Sequence, residues 1–208
     1  MGAGMDANEI ARLEVQNGFR QYDRSIEMLH YYLDEQRPFA LRPALIQELQ
    51  GVAVQGLQPK PGEFRNNTVG IAQSDHQPPA PHLVPNLVVE MCDYVNDNLH
   101  DRTPFHIAAY IMWRHNWIHP FTDGNGRTSR TLSYLVLSIV LGYELPGSPT
   151  IPEQIQSDRS SYFDALVAAD KAWENGEIDV SMMETLLKNL LGKQLLSVIE
   201  TASGEQLV

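Results

Sequence analysis

One cysteine, no apolar run long enough to cross a bilayer and a shortage of basic side chains exclude several classes of protein before any motif is read. Cys92 stands alone in 208 residues, so no internal disulfide can form. It lies in the apolar-patterned LVVEMCDYV, which points to a buried, inert thiol. Lys and Arg number 15 against 26 Asp and Glu, giving a formal charge of -11. A protein that coats nucleic acid is thereby excluded, and any anion site has to be local. A membrane helix needs about 18 or more consecutive apolar residues, and the chain has no such run. The N-terminus lacks the basic-then-apolar order of a secretory signal, so the expectation is a reduced, cytoplasmic protein with neither nucleic acid nor membrane among its partners. The length suits one domain over residues 1–208, without internal repeats.

What is present is helical patterning. Apolar residues recur at helical spacing from Asn8 to about Glu35, as one or two amphipathic helices that Gly18 could interrupt. Pro43 suits a first turn, and a second helix runs to about Gly56. From Gln58 to Pro85 the composition turns to Pro, Gly and Asn, and EFR and TVGIA are the only candidate strands, read as a small exposed hairpin. Helices resume over Pro85–Leu99 and Thr103–Ile118, with Thr103 as N-cap and Pro104 at the first position. Asn125 to Tyr143 is the most apolar segment and predicts the central, buried helix of an all-α bundle. SPTIPEQIQ breaks and restarts the chain, and SYFDALVAADKAW and DVSMMETLLKNLLGKQLLSVIE add two further helices.

Ahead of the most apolar helix stands WIHPFTDGNGRTSR, Trp117 to Arg130. His115 and His119, four apart, would share a helix face, as zinc ligands do. Pro120 ends that helix and no HExxH glutamate is present, so packing is the better account of the pair. An EF-hand would need an oxygen ligand where Arg127 sits and Glu where Tyr134 sits, and a Walker A loop would need GK[ST]. Both readings fail. Two readings stay open. In one, Gly124, Asn125 and Gly126 present unpaired backbone N–H groups to a phosphate, Arg127 and Arg130 grip its oxygens, and Asp123 holds magnesium. In the other, Asp123 or Asn125 caps the helix and the arginines are merely solvated. His119 favours the first, because an imidazole aimed at the cradle by Pro120 can take a proton from an attacking hydroxyl.

HPFTDGNGRTSR, His119 to Arg130, resembles the Fic family motif H-x-F-x-[DE]-G-N-G-R-x-x-R at every specified position. PGEFRNNTVGIA looks like the family's flap, PPAPHLVPNLVVEM like its proline-rich entry to the next helix, and DRSSYFDAL like its later helix opening. The resemblance covers roughly Leu45 to Asp170. It implies a Fic-type all-α helical bundle with a core of about 45–170, a β-hairpin flap of about 62–73, a motif loop of 119–130 and flanking helices.

The activity implied by the resemblance is a protein adenylyltransferase, which moves AMP from ATP to a Ser, Thr or Tyr hydroxyl of a target protein; a transferase with another nucleotide or phosphate-containing donor, an enzyme that removes AMP and a catalytically idle protein-interaction module are the alternatives. His119 would be the general base and Phe121 the buried anchor of the loop. Asp123 would bind Mg2+. Gly124, Asn125 and Gly126 would cradle the nucleotide phosphates, and Arg127 and Arg130 would hold the outer ones. Phe64, Val69, Gly70 and Ile71 of the flap would dock the target as an added strand. Many Fic proteins also carry an inhibitory [ST]-x-x-x-E-[GN] helix. TASGEQ, Thr201 to Gln206, has that spacing but ends in Gln, and its small residues predict a frayed tail.

Overall fold

The computed structural model describes residues 4–72 and 74–204. Among them are eight α-helices: α1 Ala7–Tyr32, α2 Pro43–Ala53, α3 Val84–Asn98, α4 Pro104–Ile118, α5 Asn125–Leu141, α6 Ile151–Ser157, α7 Ser160–Glu174 and α8 Ser181–Ser203. Gly18 leaves α1 unbroken. Asp6 starts that helix with a capping box, accepting from Asn8 and Glu9 N–H while Glu9 returns a bond to the Asp6 N–H. Thr103 caps α4 through His106 N–H at 3.1 Å. Gly142, at φ 84, ends α5 in the left-handed conformation that glycine adopts without strain.

The expected β-hairpin is absent: the described residues of 62–73 form no strand. The chain that follows it carries Pro78, Pro79 and Pro81, which have no N–H groups to offer a ladder. The carbonyls of Asn67 and Pro79, one on each arm, are both taken by the side chain of Arg65. A side chain thus does for the two arms what cross-strand bonds would do in a hairpin.

α4 and α5 form the most extensive helix pair, and the other elements wrap around them. α5 is central as its composition predicts. α4 is equally deep, with Ile107 through His115 all buried, among them the polar Arg114 and His115. Cys92 is buried in the core, where desolvation pushes its thiol up to about 12, so it is inert at neutral pH. No helix among the described residues is long and apolar enough to cross a membrane. Thr201 to Ser203 continue α8, whereas Glu205 and Gln206 of the tail lie outside the described residues.

Candidate functional site

α4 stops at Ile118 because His119 adopts φ 50, ψ 59, and Pro120 has no N–H with which to continue. Among the described residues His119 is the one non-glycine with positive φ. That conformation costs about 1–2 kcal/mol for a residue with a Cβ. Arg65 Nε donates to the His119 carbonyl at 2.7 Å, and Nη2 reaches Ile118 O at 3.3 Å and Pro79 O at 2.6 Å. Hydrogen bonds from a charged donor contribute about 1.5–3 kcal/mol each, so this one side chain offsets the strain.

Asn125 shapes the turn that follows. Its side chain accepts from Phe121 N–H at 3.0 Å and donates to Phe121 O at 2.8 Å, closing the loop on itself. Phe121 is fully buried against Phe64, with ring centroids 5.4 Å apart, so Phe64 also turns inward and ties its segment to the loop. Asp123 Oδ1 accepts from Gly124 N–H at 2.6 Å, and Gln50 of α2 donates to the Asp123 carbonyl at 3.0 Å while accepting from Gly62 N–H. Neither Asp123 nor Asn125 is therefore spent on the first turn of α5, which has no side-chain cap. The alternative of a self-capped helix fails on this geometry. The leading amides of α5 are left to meet an anion.

Arg130 is buried, donates to Gln156 Oε1 at 2.9 Å and has no carboxylate within ion-pair distance among the described residues. Arg127 is looser, lying 3.4 Å from Asp123 and 3.8 Å from Glu14 of α1. Arg159, at the start of α7, adds a third cation near Arg130. Tyr162 is buried and accepts from Asn116 Nδ2 at 2.8 Å.

His119 Nδ1 is buried without a hydrogen-bond partner of good geometry, which leaves Nε2 as the accessible nitrogen. Desolvation is the main cause of a pKa pushed down to about 4; the Asn116 carbonyl works against it, and Arg65 and His76 add to it. The ring is therefore neutral at pH 7, able to accept a proton. His115 is fully buried with both nitrogens unpaired, is pushed down to about 3 by burial, and is no zinc ligand: no group of three His, Cys, Asp or Glu among the described residues could hold a metal.

His119, Asp123, Gly124, Asn125, Gly126, Arg127, Arg130, Gly70 and Ile71 all line one open groove of about 1770 Å³. A pocket for one small ligand measures about 300–1,000 Å³, so the groove is larger than one such ligand needs. Sequence reasoning missed Gln50, Arg65, His76, Gln156 and Arg159. For Arg65 a signal existed, a single arginine within a Pro-, Gly- and Asn-rich segment between two helices; a glutamine such as Gln50 carries none on a helix.

Residues 40–137 match the Fic/DOC family. A Fido domain-containing protein of Dictyostelium discoideum is 36% identical over 87 residues, 42% of this chain and 55% of its own length. A protein named protein adenylyltransferase Fic, from Drosophila willistoni, is 37% identical over 114 residues, 53% of this chain and 20% of its own length. The chain thus spans about half or less of these relatives. Among solved structures, a Fic domain containing signaling protein from Bacteroides thetaiotaomicron superimposes with a TM-score of 0.72 over 92% of this chain and 74% of that one, at 23% identity. A Fic family protein from Desulfovibrio desulfuricans gives 0.70 over 98% and 57%, at 21% identity, and both likenesses concern the fold alone. The segment of residues 40–137, which contains the His119–Arg130 loop, is thus a Fic/DOC family match, and the fold around it is shared by these structures.

Proposed function

We propose that this chain is a protein adenylyltransferase that transfers AMP from ATP to a Ser, Thr or Tyr hydroxyl of a target protein. The observation that carries the reading is the convergence on one groove of uncapped α5 amides, an arginine with no carboxylate partner among the described residues and a neutral imidazole. Anion binding and base catalysis are then available within one site. In the proposed step the target oxygen attacks the α-phosphorus, the bond to the bridging β-oxygen breaks, pyrophosphate leaves, and His119 Nε2 takes the hydroxyl proton. Arg127, Arg130 and the backbone of Gly124, Asn125 and Gly126 hold the outer phosphates so that the α-phosphorus faces the imidazole.

Asp123 is the residue that would hold Mg2+. One half-exposed carboxylate beside a phosphate cradle suits an ion that otherwise takes phosphate and water oxygens, and its chemistry there is charge neutralisation on the polyphosphate. The outer stretch Val69, Gly70 and Ile71 would pair with the target backbone, with Phe64 as its inward anchor. His119→Ala should keep nucleotide binding by calorimetry and lose transfer of α-labelled AMP by about 10²-fold or more. Unchanged transfer would remove His119 from the chemistry, and labelled GTP or CTP outcompeting ATP would reassign the donor.

A further inference from the structure

The carbonyls of Trp117 and Ile118, at the end of α4, and of His119, its C-cap, have no partners within the helix, as for any helix end. Here each is taken by a side chain from the segment between α2 and α3. His76 Nε2 lies 2.8 Å from Trp117 O, Arg65 Nη2 3.3 Å from Ile118 O and Arg65 Nε 2.7 Å from His119 O. The Arg65 backbone N–H adds a bond to Pro120 O at 2.9 Å. Arg65 is 3% exposed, and among the described residues no carboxylate pairs with it. A buried guanidinium held by carbonyl dipoles alone is costly unless those dipoles are fixed around it, and the negative end of a helix fixes them. His76 is steadied in turn by Asp170 of α7, 3.9 Å from Nδ1, and by the Trp117 ring.

We infer that Arg65 and His76 are positioning residues: they lock the segment that would dock the target and the residue that would take its proton into one unit, holding His119 in its left-handed conformation. The inference rests on reading His119 as the base. Its geometry stands without that reading. Both arms of the segment, at Asn67 and Pro79, hang on the same guanidinium that holds His119 O, so a displaced docking segment would move the imidazole and a seated one would fix it. A lysine ammonium has three donors in a compact head and cannot span four carbonyls around a plane.

The test uses Arg65→Lys, Arg65→Ala, His76→Ala and His76→Gln in the full chain, with two readouts. The first is the NMR signature of the His119 backbone, its amide–Hα coupling and 13C shifts, which report positive φ. The second is the split between kcat and the nucleotide KM in transfer of α-labelled AMP. Both Arg65 variants should lose the left-handed signature and about 10²-fold in kcat, with KM within about twofold, because a base displaced by about 1 Å misses the proton while the cradle is untouched. Millimolar guanidinium should restore Arg65→Ala in part and leave Arg65→Lys unchanged. His76→Ala should lose about tenfold in kcat, and His76→Gln, which keeps a donor for Trp117 O, should recover it. An intact His119 signature in the folded Arg65 variants overturns the inference. If Arg65→Ala fails to fold, Arg65→Lys and the His76 pair decide it, and a His76→Ala protein with wild-type kcat and signature counts against it. A wild-type chain that transfers no AMP sinks the adenylyltransferase reading, and the backbone signature still decides the positioning role.

Discussion

Gly124 has two independent reasons to lack a side chain. Its φ of 79 lies in the left-handed region, and a Cβ there would come within 2.8 Å of Val54 Cγ1, at the C-cap of α2. Small residues in the loop predict room for an anion, but at Gly124 the close neighbour is another helix, and at Gly126 it is Arg130 Nη1, 3.3 Å from a Cβ. The glycines therefore shape the cradle from behind as well as opening it in front. Gly124→Ala should destabilise the fold by about 1–3 kcal/mol, measured by urea unfolding. Adding Val54→Ala should recover only the part due to the clash, because the backbone strain persists. Full recovery would show that the left-handed turn costs nothing here.

Among the elements, α1 is built inside out over residues 7–21. Its buried positions there are Asn17 and Gln21, which bond to Gln55 O at 2.8 Å and Leu49 O at 3.0 Å on the α2 side, while Val15 and Phe19 are 60% and 69% exposed. Each neutral hydrogen bond contributes only about 0.5–1.5 kcal/mol net, whereas fully burying a large apolar side chain contributes about 1.5–3. The C-terminal half, with Met28 and Leu29 in the core, is held the ordinary way. Amide exchange should therefore be faster over residues 7–20 than over 107–114 of α4. Equal protection of the two segments would mean that the polar bonds hold α1 as firmly as packing holds α4. The helical period from Asn8 to Glu35 predicts one or two amphipathic helices and the structure has one, but periodicity gives a face and not the partner that covers it.

For the molecule as a whole, two buried neutral imidazoles make stability depend on acid. His115 and His119 bind protons below about 3 and about 4 in the folded chain, against 6.5 when unfolded. Between those values the unfolded state binds more protons, so stability falls as pH drops below about 6.5, by about 1.4 kcal/mol per pH unit for each group. Urea midpoints from pH 7 to 4 should decline accordingly. His115→Leu should be near neutral at pH 7, since both its nitrogens are already unpaired, and should flatten the decline by about half. An unchanged slope would place the acid sensitivity elsewhere. From the sequence alone came what is local: helices from apolar spacing, ends from Pro43, Thr103 and Pro120, and a loop whose residue types suit phosphate and proton transfer. Tertiary structure alone decided that the segment of 62–73 is pinned instead of paired, that Gln50 ties Gly62 to Asp123, and that Arg65 and His76 hold the end of α4. Periodicity and capping act within a few residues along the chain. The carbonyls that Arg65 satisfies at Ile118 and His119 lie more than 50 positions away, and only the packed bundle brings that guanidinium to them.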